Sequence, residues 1–125
     1  MRRLPLCAIA LLLLPIAAAA DVHRGVDRDR GVRFKLDGNV LTVRPLTKPA
    51  RRAVYGRRID AICSTAFRPD RGRKVRAVRD WPEGRRRLSF TFKRDVSARV
   101  KWCLIEDGGE DVAGVDFAPP PRMPD

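Results

Sequence analysis

The sequence has one histidine, His23, and three cysteines, Cys7, Cys63 and Cys103. That inventory excludes a multi-ligand Cys/His zinc cluster once Cys7 falls within an N-terminal targeting run. No Cys-x-x-Cys spacing exists, so nothing supports a redox dithiol. A lone imidazole near the N-terminus also leaves Ser-His-Asp or Cys-His catalysis without a base in the core. Aromatic residues make up only 6% and fall on apolar strand positions, which denies nucleic-acid bases a stacking platform. Beyond residue 20 no run is apolar enough to span a bilayer. The 125 residues allow one domain. No repeat divides them. We expect no enzyme, no cofactor and no metal.

What is present begins with an address. Residues 1–20 consist of Arg2 and Arg3, an apolar run from Leu4 to Ile16, and small residues with Ala18 and Ala20 at −3 and −1 of a cleavage site before Asp21. This is the pattern of a secretory signal peptide. Cys7 lies inside the apolar run, so a lipoprotein reading has no h-region. The alternative is an uncleaved anchor, although Pro5 and Pro15 interrupt the run. An extracytoplasmic chain starting at Asp21 retains Cys63 and Cys103, which in a non-reducing compartment should form a disulfide. Closing a loop of that length stabilises a fold by ~4 kcal/mol on chain-entropy grounds.

Apolar residues are 44% of the chain, too many for a disordered one. Residues 21–31 carry alternating charges without apolar periodicity and read as a flexible leader. Val32, Phe34 and Leu36 then alternate with Arg33 and Lys35, and Asp37-Gly38 supplies a type I′ turn. That turn pairs Leu36 with Asn39, Phe34 with Leu41 and Val32 with Val43. Thr47 to Gly56 reads as a two-turn helix with Thr47 as N-cap, Pro49 in the first turn and Gly56 at C′. Strands follow at Ile59–Cys63 and Val75–Val78, and Trp81-Pro-Glu-Gly84 is a turn.

Towards the C-terminus, Leu88, Phe90 and Phe92 alternate with polar residues, as do Ala98, Val100, Trp102 and Leu104. Pairing Phe90 with Val100 and Leu88 with Trp102 keeps both apolar sets on one face. A third strand, Val112–Phe117, adds Ala113, Val115 and Phe117 if Leu104 opposes Ala113 across a four-residue loop, Asp107-Gly-Gly-Glu110. Seven strands and one short helix over residues 32–117 predict an all-β fold, a small antiparallel β-sandwich with one disulfide. Residues 118–125 form a Pro-rich tail expected to stay extended. Trp81, the Trp102-Cys103 pair and a single bridge give the sandwich an architecture that resembles immunoglobulin domains. The likeness stops there: in that family the second Cys follows an inward Tyr by two residues, whereas Lys101 occupies this position.

Charge is the strongest signal. Residues 44–101 hold 19 Lys+Arg against 5 Asp+Glu, a net +14, while residues 102–125 carry a net −5. On the predicted C-terminal meander, Arg87, Lys93, Arg99 and Lys101 share the polar face, extended by Arg33 and Lys35. We assign them an anion-binding role, because such a face attracts polyanions by Coulomb steering and counterion release. The expected partner is an anionic polymer or an anionic lipid surface at the cell envelope. A solvated surface set by an Arg-rich composition is the competing explanation, since outward strand positions need polar residues anyway. Glu106, Asp107, Glu110 and Asp111 flank Gly-Gly at a hairpin tip and lack the spacing of a calcium loop. An amino terminus beside Val22-His23 offers copper or nickel ligands, but one imidazole in a leader defines no site. The alternative function is a secreted protease inhibitor that presents the loop after Cys63, with Arg68 as specificity residue.

Overall fold

Alternation and turn chemistry generate eight strands in the computed structural model, which describes residues 21–68 and 71–117. The signal-like segment and the Pro-rich tail lie outside the described residues. The strands are β1 (Val22–Asp27), β2 (Val32–Asp37), β3 (Val40–Pro45), β4 (Arg58–Ser64), β5 (Lys74–Asp80), β6 (Leu88–Thr91), β7 (Trp102–Asp107) and β8 (Glu110–Asp116); α1 is Lys48–Val54. They form two antiparallel four-stranded sheets. Sheet A has the order β1-β2-β3-β6 and sheet B the order β5-β4-β7-β8. The inward faces of both sheets bury one core that includes Phe34, Leu41, Phe90, Ile59 and Ile105. The all-β sandwich with one short helix is therefore the observed fold.

The hairpin of β2 and β3 is present with its turn moved by one residue. Asp37 pairs with Val40, so Gly38 and Asn39 form the loop, and Phe34 opposes Val43 rather than Leu41. Of these two loop residues only Gly38 has positive φ, at 59°, which matches a II′ turn with Gly at its first central position. The pairing slips by two residues, and side chains repeat every two, so Val32, Phe34, Leu36, Leu41 and Val43 still face inward. Helix α1 follows its caps: the Thr47 hydroxyl accepts the Ala50 N–H at 3.2 Å, and Gly56 takes a φ of 72° just past the end.

Two further expectations are corrected. The supposed leader forms β1, in register with β2 over six residue pairs. Its inward positions are His23, Gly25 and Asp27, so the strand presents no apolar periodicity. Gly25 is required there, because an added Cβ would overlap Val115 Cγ2 of β8. Asp27 accepts the Gly114 N–H at 3.0 Å across the same seam.

The C-terminal meander does not form. Strand β6 pairs with β3 in sheet A, while β7 lies between β4 and β8 in sheet B. Residues 97–99 are a turn, closed by Arg99 N–H donating to Val96 C=O. Cys103 and Ile105 point into the core, leaving Trp102 and Leu104 half-buried on the outer side and Ala98 exposed. Ile105, not Leu104, opposes Ala113. The tip is the two-residue Gly108-Gly109 loop between Asp107 and Glu110, followed by a bulge.

Cys63 and Cys103 are bonded and are direct partners on β4 and β7, with Cα atoms 4.1 Å apart. The bridge thus lies within one sheet. In immunoglobulin domains it joins the two sheets, so the likeness is one of layered architecture only.

Candidate anion-binding face

The two outer faces of the sandwich treat charge differently. On and beside sheet B, Arg76 and Arg57 are paired with acids, whereas Arg58 and Lys74 are not, among the described residues. Arg76 lies 3.5 Å from Asp60 and 4.0 Å from Glu106, and Arg57 donates to Asp107 at 2.9 Å. On sheet A the outward positions include Arg24, Arg33, Lys35, Arg44 and Arg87, with Asp37 the acid among them. None of those five cations has a carboxylate within 4.0 Å among the described residues.

Arg44 and Arg87 continue into a groove of about 580 Å³ where β6 meets the edge of β5, lined by Arg44, Arg79, Arg85, Arg86, Arg87 and Ser89. All five arginines are exposed, and no acid lines the groove. The fold holds their backbone in place. Buried Trp81 packs against Phe90, with ring centroids 6.4 Å apart, and its indole N–H donates to Arg85 C=O at 2.7 Å. A turn closed by Arg85 N–H to Pro82 C=O completes the anchor. Arg79 Nη1 donates to Ser89 C=O at 2.7 Å, which ties the β5 side chain to β6. Guanidinium groups suit this position because their planar forks bind oxyanions bidentately and stay charged at any working pH.

The four residues assigned from sequence do not converge. Arg87 belongs to the groove, and Arg33 and Lys35 do share its sheet face. Lys93 lies beyond β6, beside Lys74, Arg76 and Arg94. Arg99 sits in the 97–99 turn near Arg73 and Arg94. Lys101 is half-buried at the entry to β7, where its N–H donates to Ser64 C=O. The physical reason is the absent meander: β6 and β7 belong to different sheets. Sequence reasoning missed Arg44, Arg79, Arg85 and Arg86 for the same reason, since only the β3–β6 pairing and the β5 seam bring them together. The triplet Arg85-Arg86-Arg87 was the available signal.

Elsewhere the structure offers less chemistry. Among the described residues no group of three or more His, Cys, Asp or Glu is placed to hold a metal. His23 Nε2–H donates to Ser97 C=O at 2.6 Å and its ring packs on Phe117, so the imidazole serves the β1 seam. A concavity of about 570 Å³ beside α1 is lined by Val32, Pro49, Ala50, Ala53 and Val112 with Arg28, Asp29 and Arg30. The loop after Cys63 is pinned at its start by Trp102 Nε1–H to Ala66 C=O, 2.9 Å, and Arg68 is exposed. No helix among the described residues is long and apolar enough to cross a membrane. No family model matches the chain, and no curated protein or solved structure matches it.

Proposed function

We propose that this protein is a small exported, non-catalytic binding module whose ligand is an anionic polymer of the cell envelope, held on the outer face of sheet A and in its arginine groove. The observation that carries the reading is five arginines lining one groove without an acid. Strand surfaces that need only solubility mix both signs, whereas this one leaves the cations unpaired and repelling each other. Export is supported by the signal-like residues 1–20 and by the Cys63–Cys103 bond, which persists in oxidising compartments.

The test is retention of residues 21–125 on an anionic resin and on isolated cell-wall material across a salt series. The reading expects retention at about 150 mM salt that falls steeply as salt rises, and reduced retention for Arg85→Glu/Arg86→Glu. A protein that passes through both matrices at that salt contradicts it.

A further inference from the structure

Arg33, Arg44 and Arg87 share one rung of sheet A. Arg33 and Arg44 are direct partners in the β2–β3 ladder. Arg44 and Arg87 stand one step beyond Val43 and Leu88, the last paired residues of β3 and β6, and both line the groove. Neighbouring strands are about 4.8 Å apart, so the three cations form a closely spaced line perpendicular to the strands. The next rung, Arg24-Lys35-Thr42-Ser89, carries two cations, and the rung beyond, Val22-Asp37-Val40-Thr91, carries an acid and no cation. Positive charge is therefore densest along the Arg33-Arg44-Arg87 rung and falls away towards the Asp37 end of the sheet. At the sheet edge the line meets Arg79, Arg85 and Arg86.

We infer that the ligand is a linear oxyanion polymer that lies across the strands, from β2 over β6 to the β5 edge; this rests on the anion-binding reading of the face. A compact anion is satisfied by one or two guanidinium forks. Cations directly opposed on adjacent strands repel, and a chain of anions interleaved between them relieves the repulsion at every rung position at once. Phe90, Phe34 and Trp81 are buried in the core, so no aromatic stands on the rung and bases have nothing to stack on. The repeating unit is thus an oxyanion, phosphate or sulfate ester, without a nucleobase.

The experiment titrates the protein, at about 150 mM salt, with short- and long-chain polyphosphate and with short- and long-chain dextran sulfate, the two pairs separating the phosphate and sulfate sources. Two variants remove equal charge: Arg33→Ser/Arg87→Ser on the rung and Arg52→Ser/Lys93→Ser away from the face. All four positions are exposed, where such changes leave folding nearly unaltered. The inference expects affinity per anionic unit to rise about tenfold or more with chain length for at least one polymer, the rung variant to lose that gain and the off-rung variant to keep it. Equal affinity per unit for short and long chains, or equal loss of the gain in both variants, overturns the track. In that case binding by the unmodified protein that Arg85→Glu/Arg86→Glu abolishes still supports the anion-binding face. Absence of binding to every polymer removes both. A single-stranded oligonucleotide that binds more tightly than polyphosphate of equal charge overturns the exclusion of nucleobases.

Discussion

Arg33 on β2 and Arg44 on β3 face solvent directly opposite one another, and neither has a carboxylate within 4.0 Å among the described residues. Like charges in that relation destabilise a sheet by a few tenths of a kcal/mol to about 1 kcal/mol. The variant Arg44→Glu should therefore gain stability of about that size in denaturant unfolding while its affinity for anionic polymers falls. Unchanged or lower stability in this variant would mean that the opposed pair imposes no cost.

Trp81 should matter to binding although it touches no solvent. In Trp81→Phe the ring volume is partly kept, but Arg85 C=O loses the indole N–H that holds it at 2.7 Å. The expected cost is about 0.5–1.5 kcal/mol for the loss of one part-buried hydrogen bond, together with weaker polymer binding as the Arg85–Arg87 segment loosens. A variant that loses stability but binds with unchanged affinity would separate the anchor from the site.

How far the sequence could be read depended on where the deciding interaction was local. The Gly38 turn and the Thr47 cap are fixed by residues within three or four positions, so the hairpin face and α1 were legible. Strand β1 was not, because its inward residues His23, Gly25 and Asp27 are selected by the approach of β8 and carry no apolar period. Along Trp102-Cys103-Leu104-Ile105 both alternating sets are apolar, so periodicity cannot choose the inward one. The bond to Cys63 and the β4 partner choose it. The groove shares that fate. Arg87 was found because it flanks a strand, but Arg44 and Arg79 join it only through pairings of long sequence separation.

The disulfide supports a large share of so small a fold. Cys63→Ser/Cys103→Ser should lose roughly 2–5 kcal/mol in equilibrium unfolding. A titration of the denatured, unreduced protein, residues 21–125, should find no free thiol. Two free thiols would contradict the bond.

Acid should loosen the β1 seam. Asp95 accepts the Ser97 hydroxyl at 2.6 Å and the Ser97 N–H at 2.8 Å, and these bonds, the hydroxyl first, hold its carboxyl below the usual carboxylate range. A group with a lowered folded pKa stabilises the fold above its unfolded value, and the contribution disappears as pH falls through the lowered one. Ser97 C=O in turn accepts His23 Nε2–H. The melting temperature should thus fall more between pH 5 and pH 2 (roughly the window set by ordinary and depressed aspartates) in the unmodified protein than in Asp95→Asn. Parallel curves would show that the Asp95 bonds contribute nothing.

The most direct test of the central claim compares two double reversals with the same change in net charge, Arg44→Glu/Arg87→Glu in the groove and Arg28→Glu/Arg52→Glu away from it. All four side chains are exposed. Binding to one anionic polymer is measured across a salt series that includes about 150 mM, where the Debye length is ~8 Å and distant charges are screened. On nucleic-acid phosphates each contact contributes about −0.7 to −0.9 to the log–log slope, and a comparable dependence is expected here. The groove reversal should weaken binding far more and flatten the slope by about two contacts, while the distant reversal should leave the slope nearly unchanged. Equal losses and equal slopes in the two variants would contradict the account, leaving net charge as the whole of the attraction.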